Sequence, residues 1–375
     1  MEHIVNIARF RTSKAVNINH TPDLYLLGTV LIICAFGLLM VYDSSQFEAF
    51  QSFGDSYYYI KQQGISFLLG ILAMSFFTFF DYHKLQKFAL PVLIFSLGLL
   101  VLVFVPGLGV SAYGAHRWMK LFGFTIQPAE IIKLTSIIFF ASIFRVRTYT
   151  KPFLLTIFFV IGVVGIMQKD LGSSVIFAIV ALSLYFIAKA PLIHFLGLSL
   201  ALILSAISAI IFAPYRTLRI MAFIDPFRDP QGFTYHISQV LIALGSGGIF
   251  GLGVGQSRQK FAYIPEVTTD SIFAIIGEEF GFVGGAILIF LFAFMVLRGF
   301  RTVKGAPDNF GKLLASGISL WLGVQAAVNL ASMVALIPLT GVPLPFISYG
   351  GSALMVNLIA VGILLNISKQ TNPNT

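Results

Sequence analysis

A single carboxylate stands where a polar segment meets a strongly apolar run. Residues 213–270 are rich in glycine, proline and charge, and they end in the sequence YIPEVTTD, whose last residue is Asp270. The apolar run of residues 271–297 follows at once. An ionisable side chain at the mouth of a membrane helix is more often retained for function than for packing. Asp270 is therefore the first candidate for a catalytic group.

The same segment carries cations that suit an anionic substrate. Arg216 and Arg219 lie among prolines, and Arg258 and Lys260 follow a glycine-rich stretch. A planar guanidinium matches the geometry of a phosphate group. Arginines in such positions also form a solvated or headgroup-binding edge at a membrane. Both interpretations stay open from the residues alone.

Three further positions combine a polar group with a predicted helix end. Glu130 and Lys133 are three apart in a predicted helix, so they can form a structural ion pair, or Lys133 can bind an anion or tune Asp270. Trp118 either anchors the chain at the membrane interface or shapes a sugar pocket. Asp170 precedes another apolar run and is a further candidate.

Several other kinds of site are not indicated. The glycines of residues 245–255 satisfy neither G-x-G-x-x-G nor the P-loop pattern, so they predict tight turns or close backbone approach instead. The six histidines form no H-E-x-x-H or other metal-ligand spacing. The single cysteine, Cys34, excludes a disulfide within the chain.

The elements that must position these residues are membrane helices. Of the 375 residues, 57% are hydrophobic and only 10% are charged, against about 25% charged in soluble domains. Apolar runs near the roughly 20 residues that cross a bilayer predict ten helices in an all-α polytopic membrane protein. They begin near Leu24, Ile60, Phe88, Pro128, Pro152, Gly172, His194, Ser271, Leu313 and Gly350.

The loop charges predict the orientation. Basic residues concentrate in alternate short segments, for example Lys84 with Lys87 and Arg298 with Arg301, and the positive-inside rule then puts both termini in the cytoplasm. Because the net charge of +9 is spread over these loops, it does not indicate a nucleic-acid partner. The chain is predicted to be one membrane domain, residues 1–375. It has a cytoplasmic segment (1–22), a large extracytoplasmic loop (213–270) between helices 7 and 8, and a cytoplasmic tail (369–375).

These segments together resemble the SEDS family (shape, elongation, division, sporulation), the FtsW and RodA type of bacterial peptidoglycan polymerase. The matching motifs are GLLMVY (37–42), RW (117–118), IQPAE (126–130), QKDLG (168–172), the segment that ends at Asp270, and GVPLPFISYGGS (341–352). They occur in the family's order over nearly the whole chain. The stretch GVGQSRQK (253–260) looks more like the division-type FtsW branch than like the RodA branch.

The resemblance implies roles for individual residues. Asp270 would be the essential catalytic carboxylate, with Trp118, Glu130 and Lys133 nearby. The remaining supporting or substrate-binding candidates are Asp170, Arg216, Arg219, Arg258, Lys260, Tyr349 and Ser352. Two positions depart from the family pattern: Thr268 stands where a His often occurs, and Lys169 stands where Pro is frequent.

The implied function is polymerisation of lipid II into glycan strands at the outer face of the bacterial cytoplasmic membrane, in cell division or cell-shape maintenance. It is an inverting transfer that releases undecaprenyl diphosphate, with Asp270 as general base. No cofactor is required by the sequence, although Mg²⁺ or Mn²⁺ would find ligands on the diphosphate. The implied partners are the growing glycan strand, a class B penicillin-binding protein (a transpeptidase), divisome or elongasome proteins, and membrane lipids.

Two other classes of function remain alternatives. A flippase or transporter of lipid-linked precursors would also have about ten helices, but its charges would line a route open to both faces. A non-catalytic scaffold of a cell-wall synthase would tolerate replacement of Asp270. Glu278 and Glu279, about two turns into the helix after Asp270, are expected to be paired inside the bundle.

Overall fold

The computed structural model describes residues 21–112, 115–121, 124–146, 148–261 and 263–370. Within these residues the chain forms twelve α-helices and one small β-sheet. Most of the predicted cytoplasmic segment 1–22 and most of the predicted tail 369–375 lie outside the described residues.

The helices follow one another along the chain with short connections. They are α1 (Leu24–Phe53), α2 (Tyr58–Phe79), α3 (Leu85–Leu102), α4 (Pro128–Phe144), α5 (Thr150–Val160), α6 (Leu171–Ile187), α7 (Leu192–Ile211), α8 (Pro214–Ile224), α9 (Tyr235–Gly247), α10 (Ile272–Gly305), α11 (Asn309–Met333) and α12 (Gly351–Lys369). A short 3₁₀ turn (Tyr82–Lys84) leads into α3, and a π-helical stretch (Ile161–Met167) continues α5.

Each of the ten predicted membrane runs corresponds to one of these helices. Eight helical stretches of the described chain are long and apolar enough to cross a membrane. The other two, α4 and α6, have 17 residues each, at the short end of the range of about 17 to 25 that suffices for a span. The predicted fold class, a mainly helical polytopic membrane protein, is confirmed.

One small sheet departs from the all-α expectation. Strands β1 (Gly109–Ala112), β2 (Ala115–Leu121) and β3 (Phe124–Ile126) pair antiparallel in the order β1-β2-β3 between α3 and α4. Met119 pairs with Gly109 on one side and with Ile126 on the other. The sheet carries Arg117 and Trp118 directly to the start of α4.

The segment 213–270 is not an irregular loop, because α8 and α9 lie within it. Its glycines allow α9 to approach α10 closely. A Cβ on Gly247 would collide with the backbone of Gly277, and a Cβ on Gly251 with that of Glu279. Gly281 has φ +66° and kinks α10 at this contact. The close approach predicted from the glycine spacing is present.

The end of the bundle opposite Asp270 is closed by polar contacts. The Tyr82 hydroxyl donates to Asp308, which is also the N-cap of α11, and His83 contacts Asp308 at 3.2 Å. Asn366 of α12 accepts from the Tyr82 N–H at 3.0 Å and donates to the carbonyl of Thr78 at 2.9 Å. These bonds tie α2, α11 and α12 together at this end.

Candidate active site

Asp270 lies in the turn that leads into α10, whose N-cap is Ser271. The side chain of Asp270 is 8% exposed. Burial raises the pKa of this carboxyl to about 6, although the nearby charges of Arg219 and Arg117 favour ionisation. The turn contains an unusual conformation, since Glu266 has φ +52°. Asp270 is thus a carboxylate that is mostly ionised at neutral pH but takes up a proton more readily than an exposed aspartate.

Two arginines from different elements lie near Asp270. Arg219 of α8 is exposed, and its Nη1 donates to the carbonyl of Leu339 at 3.1 Å. A Cβ added at Gly341 would lie 3.7 Å from Asp270 Oδ2 and 3.8 Å from Arg219 Nη1, so the carboxylate and the guanidinium flank that glycine. Arg117 of β2 is fixed by the carbonyls of Gln168 and Lys169, at 3.3 and 2.6 Å.

The connection between α11 and α12, residues 334–350, forms the wall facing Asp270. We call it the α11–α12 loop. The Tyr349 N–H donates to the Thr268 carbonyl at 2.8 Å, and the Ser348 hydroxyl donates to the carbonyl of Thr269. The Asn329 side chain, from α11, donates to the Asp270 carbonyl at 2.8 Å. Three consecutive carbonyls before α10 are therefore each held by a separate donor.

A buried charged network reaches the same loop from the bundle core. Lys133 Nζ lies 2.8 Å from Glu130 Oε1 and 2.6 Å from Gln325 Oε1, and it stands 5.4 Å from the centre of the Trp321 ring. Glu130 and Lys133 are 0% and 3% exposed. Gln325 then donates to the Pro343 carbonyl at 3.2 Å. The ion pair is present, and it supports the α11–α12 loop through Gln325 rather than touching Asp270.

The C-terminal residues of the motif GVPLPFISYGGS (341–352) hold helix ends together. The Ser352 hydroxyl, at the start of α12, accepts from the Gln127 N–H at 3.0 Å just before α4. Gln63 of α2 donates to the Ser348 carbonyl at 3.2 Å and accepts from the Gly350 N–H at 3.1 Å. The Tyr349 ring packs edge-on against Tyr59 with centroids 4.8 Å apart. These contacts fix the α12 end of the loop that faces Asp270.

Three other predicted residues lie apart from Asp270 or make structural contacts. Arg216 donates to the carbonyls of Ala209 and Gly165, both at 2.9 Å. Asp170 is the N-cap of α6 and accepts from the N–H and the hydroxyl of Ser173. Trp118 is half-buried on β2, opposite Val110.

Lys260 belongs to a second polar cluster, away from Asp270. Its Nζ lies 2.8 Å from Asp43 of α1 and 3.1 Å from Glu279 of α10. Glu278 accepts from the Ser257 hydroxyl at 2.5 Å and from the Arg258 N–H at 3.1 Å. We call residues 257–260 with Asp43, Glu278 and Glu279 the loop latch. The two glutamates are paired, as expected, and their partners are this loop. The Arg258 side chain is exposed.

A small cavity of about 80 Å³ opens beside Arg219, between α8, α9 and the α11–α12 loop. Its lining includes Phe223, Phe233 and His236. His236 Nε2 lies 2.7 Å from the Ser271 hydroxyl. Burial, with the nearby charge of Arg219, lowers the pKa of His236 to about 4. The imidazole is therefore neutral at neutral pH, and the cavity offers one cation among mainly apolar groups.

Sequence reasoning missed four side chains that shape this site: Arg117, His236, Gln325 and Asn329. A signal for two of them is present in α11, because Trp321, Gln325 and Asn329 recur every four residues on one helix face. Buried amides in an apolar helix indicate function or a specific hydrogen-bond partner. Arg117 lies in the RW motif at residues 117–118, which could have singled it out. His236 carries no comparable signal, because a distant element brings it to the turn at Asp270.

The chemistry that these residues can perform is proton transfer beside an anion. Asp270 is a carboxylate base of raised pKa, and Arg219 and Arg117 supply positive charge nearby. Among the described residues no group of three or more His, Cys, Asp or Glu side chains is arranged to hold a metal ion. A divalent cation here would need most of its ligands from the substrate.

Comparisons with known proteins match the chain over nearly its whole length. A family model described as "Cell cycle protein", for FtsW, RodA and SpoVE, matches residues 23–373. Stage V sporulation protein E of Bacillus subtilis (strain 168) is 38% identical over 356 residues, which cover 93% of this chain and 97% of that protein. A protein of Geobacter sp. (strain M18) named "probable peptidoglycan glycosyltransferase FtsW" is 38% identical over 355 residues, with the same two shares.

A solved structure shares the fold. It is a chain of a peptidoglycan synthase complex, described as coordinating polymerization and crosslinking, and it is 27% identical with a TM-score of 0.74. The match covers 92% of this chain and 97% of that one. The family predicted from the motifs is confirmed by these matches along nearly the full chain: the protein belongs to the FtsW, RodA and SpoVE family of cell cycle proteins.

Proposed function

We propose that the protein is a peptidoglycan glycosyltransferase of cell division or cell-shape maintenance. It polymerises lipid II into glycan strands at the outer face of the cytoplasmic membrane, and Asp270 is its general base. The observation that carries the proposal is a buried carboxylate of raised pKa near two arginines. Relatives of 34–39% identity over most of the chain, named peptidoglycan glycosyltransferases, support the same activity.

The general-base role follows from the bond that forms. The acceptor sugar hydroxyl attacks the anomeric carbon of the donor, the bond from that carbon to the diphosphate oxygen breaks, and the configuration inverts. Asp270 takes the hydroxyl proton as the new glycosidic bond forms. General bases work best when their pKa lies near the operating pH, and a value of about 6 meets that condition while leaving most of the carboxyl ionised at neutral pH.

The leaving group needs positive charge rather than an acid. Undecaprenyl diphosphate carries stable negative charge, so fixed cations that meet this charge lower the barrier. Of the proposed cations, Arg219 lies beside Asp270, and Arg117 joins it from β2. Lys133 and Lys260 are engaged with carboxylates. Arg216 is buried and bonded to two backbone carbonyls, whereas Arg219 is exposed and Arg117 is partly exposed. Arg258 belongs to the loop latch, away from Asp270. We therefore assign the diphosphate contact to Arg219 and Arg117.

A class B penicillin-binding protein is the proposed partner, with divisome or elongasome proteins in the same assembly. Support comes from the similarity to a chain of a synthase complex that polymerises and crosslinks peptidoglycan. Co-purification of the two membrane proteins in detergent measures the pairing. Recovery of the chain without any penicillin-binding protein from native membranes would count against it.

Polymerisation by the purified protein is the direct test. We expect the parental protein to convert fluorescent lipid II into long glycan strands, and Asp270→Asn to lower the rate by about 10²- to 10⁴-fold, because the amide cannot accept the proton. Lipid II binding should change less than turnover, since the lost interaction belongs to the transition state.

Asp225→Asn is the control for this test. Asp225 is an exposed acid in the same segment, at the end of α8, and its variant should polymerise at the parental rate. If Asp270→Asn also keeps the parental rate at a matched level of folded protein, the catalytic assignment is wrong, and the scaffold and flippase alternatives move ahead. Assays with EDTA, followed by Mg²⁺ or Mn²⁺, measure any contribution from a divalent cation.

A further inference from the structure

Asn329 is a fully buried amide that joins two walls of the site. It lies near the C-terminal end of α11 and is 0% exposed. Its Nδ2 donates to the Asp270 carbonyl and to the Val342 carbonyl, each at 2.8 Å. One side chain therefore bonds both the residue that bears the carboxylate and the loop opposite it.

The orientation of this amide is set by its two acceptors. Two carbonyl oxygens need a group with two N–H donors, which an Asn side chain supplies. The Oδ1 atom of Asn329 is buried with no hydrogen-bond partner among the described residues. An unpaired buried acceptor is costly. Asn329 leaves its own oxygen unpaired but satisfies two backbone carbonyls. This is the arrangement expected of a side chain whose role is to bridge those two carbonyls.

The bridge lies next to the point where the carboxylate and Arg219 approach each other. Val342 follows Gly341, the glycine flanked by Asp270 Oδ2 and Arg219 Nη1. Arg219 is bonded to Leu339 of the same loop. Asn329 thus fixes the loop to which Arg219 is bonded to the backbone that carries Asp270.

We propose that Asn329 is a positioning residue for Asp270, acting through the backbone carbonyls of Asp270 and Val342 to hold the carboxylate at its working distance from Arg219 and the substrate. The proposal rests on the proposed function, because it assumes that Asp270 is the base. Asn329 does not touch the reacting atoms. A displacement of about 1 Å at a reacting group can lower a rate by about 10²-fold, so loosening this bridge should act on turnover.

Asn329→Ala is the first variant. We expect kcat for lipid II polymerisation to fall by about 10- to 100-fold, while KM stays within about threefold of the parental value. The split between kcat and KM separates positioning from a general loss of folded protein. Thermal denaturation in detergent gives the accompanying change in Tm.

Asn366→Ala is the matched control. Asn366 is also buried and also bonds two backbone groups, the Thr78 carbonyl and the Tyr82 N–H, but at the opposite end of the bundle. We expect a comparable lowering of Tm with kcat unchanged. If both Asn variants lose kcat equally at equal Tm, Asn329 has only a structural role and the proposal is overturned.

Ser348→Ala gives an independent reading if Asn329→Ala does not fold. The Ser348 hydroxyl holds the neighbouring carbonyl of Thr269, so its loss should lower kcat in the same direction with KM kept. Parental kcat in both Asn329→Ala and Ser348→Ala, together with an inactive Asp270→Asn, would refute the positioning role and leave the general base intact. Parental activity of Asp270→Asn would instead refute the proposed function.

Discussion

The burial that suits Asp270 to its proposed role as general base also has a cost to the fold. Burial raises its pKa to about 6, and this carboxyl must be ionised to accept a proton. Arg219 and Arg117 favour ionisation but do not cancel the effect of burial. The same burial that would strengthen the proposed base therefore opposes the negative charge of its carboxylate. Two measurable properties of Asp270 follow from these opposing effects: the pH dependence of turnover and the pH dependence of stability.

The first concerns the pH dependence of turnover. If Asp270 is the general base, as proposed, protonation removes its function, so kcat should rise with pH through about 6 and level off above it. Well below pH 6 the rate should fall about tenfold per pH unit. Steady-state polymerisation between pH 4.5 and 8 measures this limb. A flat profile across pH 5 to 7 would show that no group of this pKa limits the reaction.

The second concerns stability. A folded-state pKa raised from 3.8 to about 6 means that the contribution of Asp270 to stability is present below pH 3.8 and is lost as the pH rises through about 6. Asp270→Asn has no charge to bury, so at pH 7.5 its free energy of unfolding should exceed that of the parent by an amount on the order of 3 kcal/mol or less. We expect the variant to have a higher Tm than the parent at pH 7.5 and a similar Tm near pH 4. A lower Tm at both pH values would contradict the burial argument.

Sequence reasoning located Asp270 because a polar segment ended abruptly at an apolar run, a pattern that one sequence can carry. It grouped five cations as equal candidates for the diphosphate. The structure distinguishes these cations by the carboxylates near them. Lys260 pairs with Asp43 and Glu279, whereas Arg219 lies near Asp270. Such pairings depend on contacts between residues far apart in the chain, so no local spacing predicts them.

At the scale of elements, the loop latch fixes the chain between α9 and α10. Its buried cation is Lys260, whereas the Arg258 side chain is exposed. Lys260 faces two little-exposed carboxylates, with Asp43 at 14% and Glu279 at 0% side-chain exposure. Glu278 holds the same loop through backbone N–H groups. The latch joins α1 to α10 close to the kink at Gly281.

Lys260→Met should unfasten this latch. Removing one partner leaves uncompensated buried charge, which typically costs about 3–5 kcal/mol, so Tm should fall and protease cleavage in residues 250–261 should increase. Arg258→Met is the control, because an exposed side chain two residues away should change stability by about 0.5 kcal/mol or less. Equal Tm values for the two variants would show that the ion pairs at Lys260 do not stabilise the loop.

Element prediction succeeded for long apolar helices and failed for short elements. The strands have four, seven and three residues, too few to show a period of two against the polar loop around them. Helices α8 and α9 have only 11 and 13 residues. Prolines and glycines flank them, so the surrounding sequence looks like a loop. Their packing on α10 and on the α11–α12 loop fixes them, and that packing is not visible in local composition.

At the scale of the whole molecule, the orientation in the membrane stays a prediction from the loop charges. Gln256 and Lys304 are both exposed; Gln256 precedes α10, and Lys304 lies in the last turn of that helix. The native Cys34 is 1% exposed, so it should give little background labelling.

We expect a membrane-impermeant maleimide to label Gln256→Cys in intact spheroplasts and to label Lys304→Cys only after permeabilisation. The physical reason is the excess of Lys and Arg in the predicted cytoplasmic loops. The reverse pattern would put Asp270 on the cytoplasmic face and would exclude polymerisation at the outer face.

The hydrogen bonds between the α11–α12 loop and the turn before α10 also make the site observable by isotope exchange. The amide hydrogen of Tyr349 is bonded across this contact to the Thr268 carbonyl. The amide hydrogen of Leu344 is bonded within the loop to the Ser348 oxygen, and the Ser348 hydroxyl in turn donates across the contact to the Thr269 carbonyl. Such hydrogens exchange with solvent only when the bonded segments separate, so their protection measures the free energy of local opening. Each tenfold slowing corresponds to about 1.4 kcal/mol. Deuterium uptake at these two positions therefore reports how firmly the site is closed, with no substrate or label.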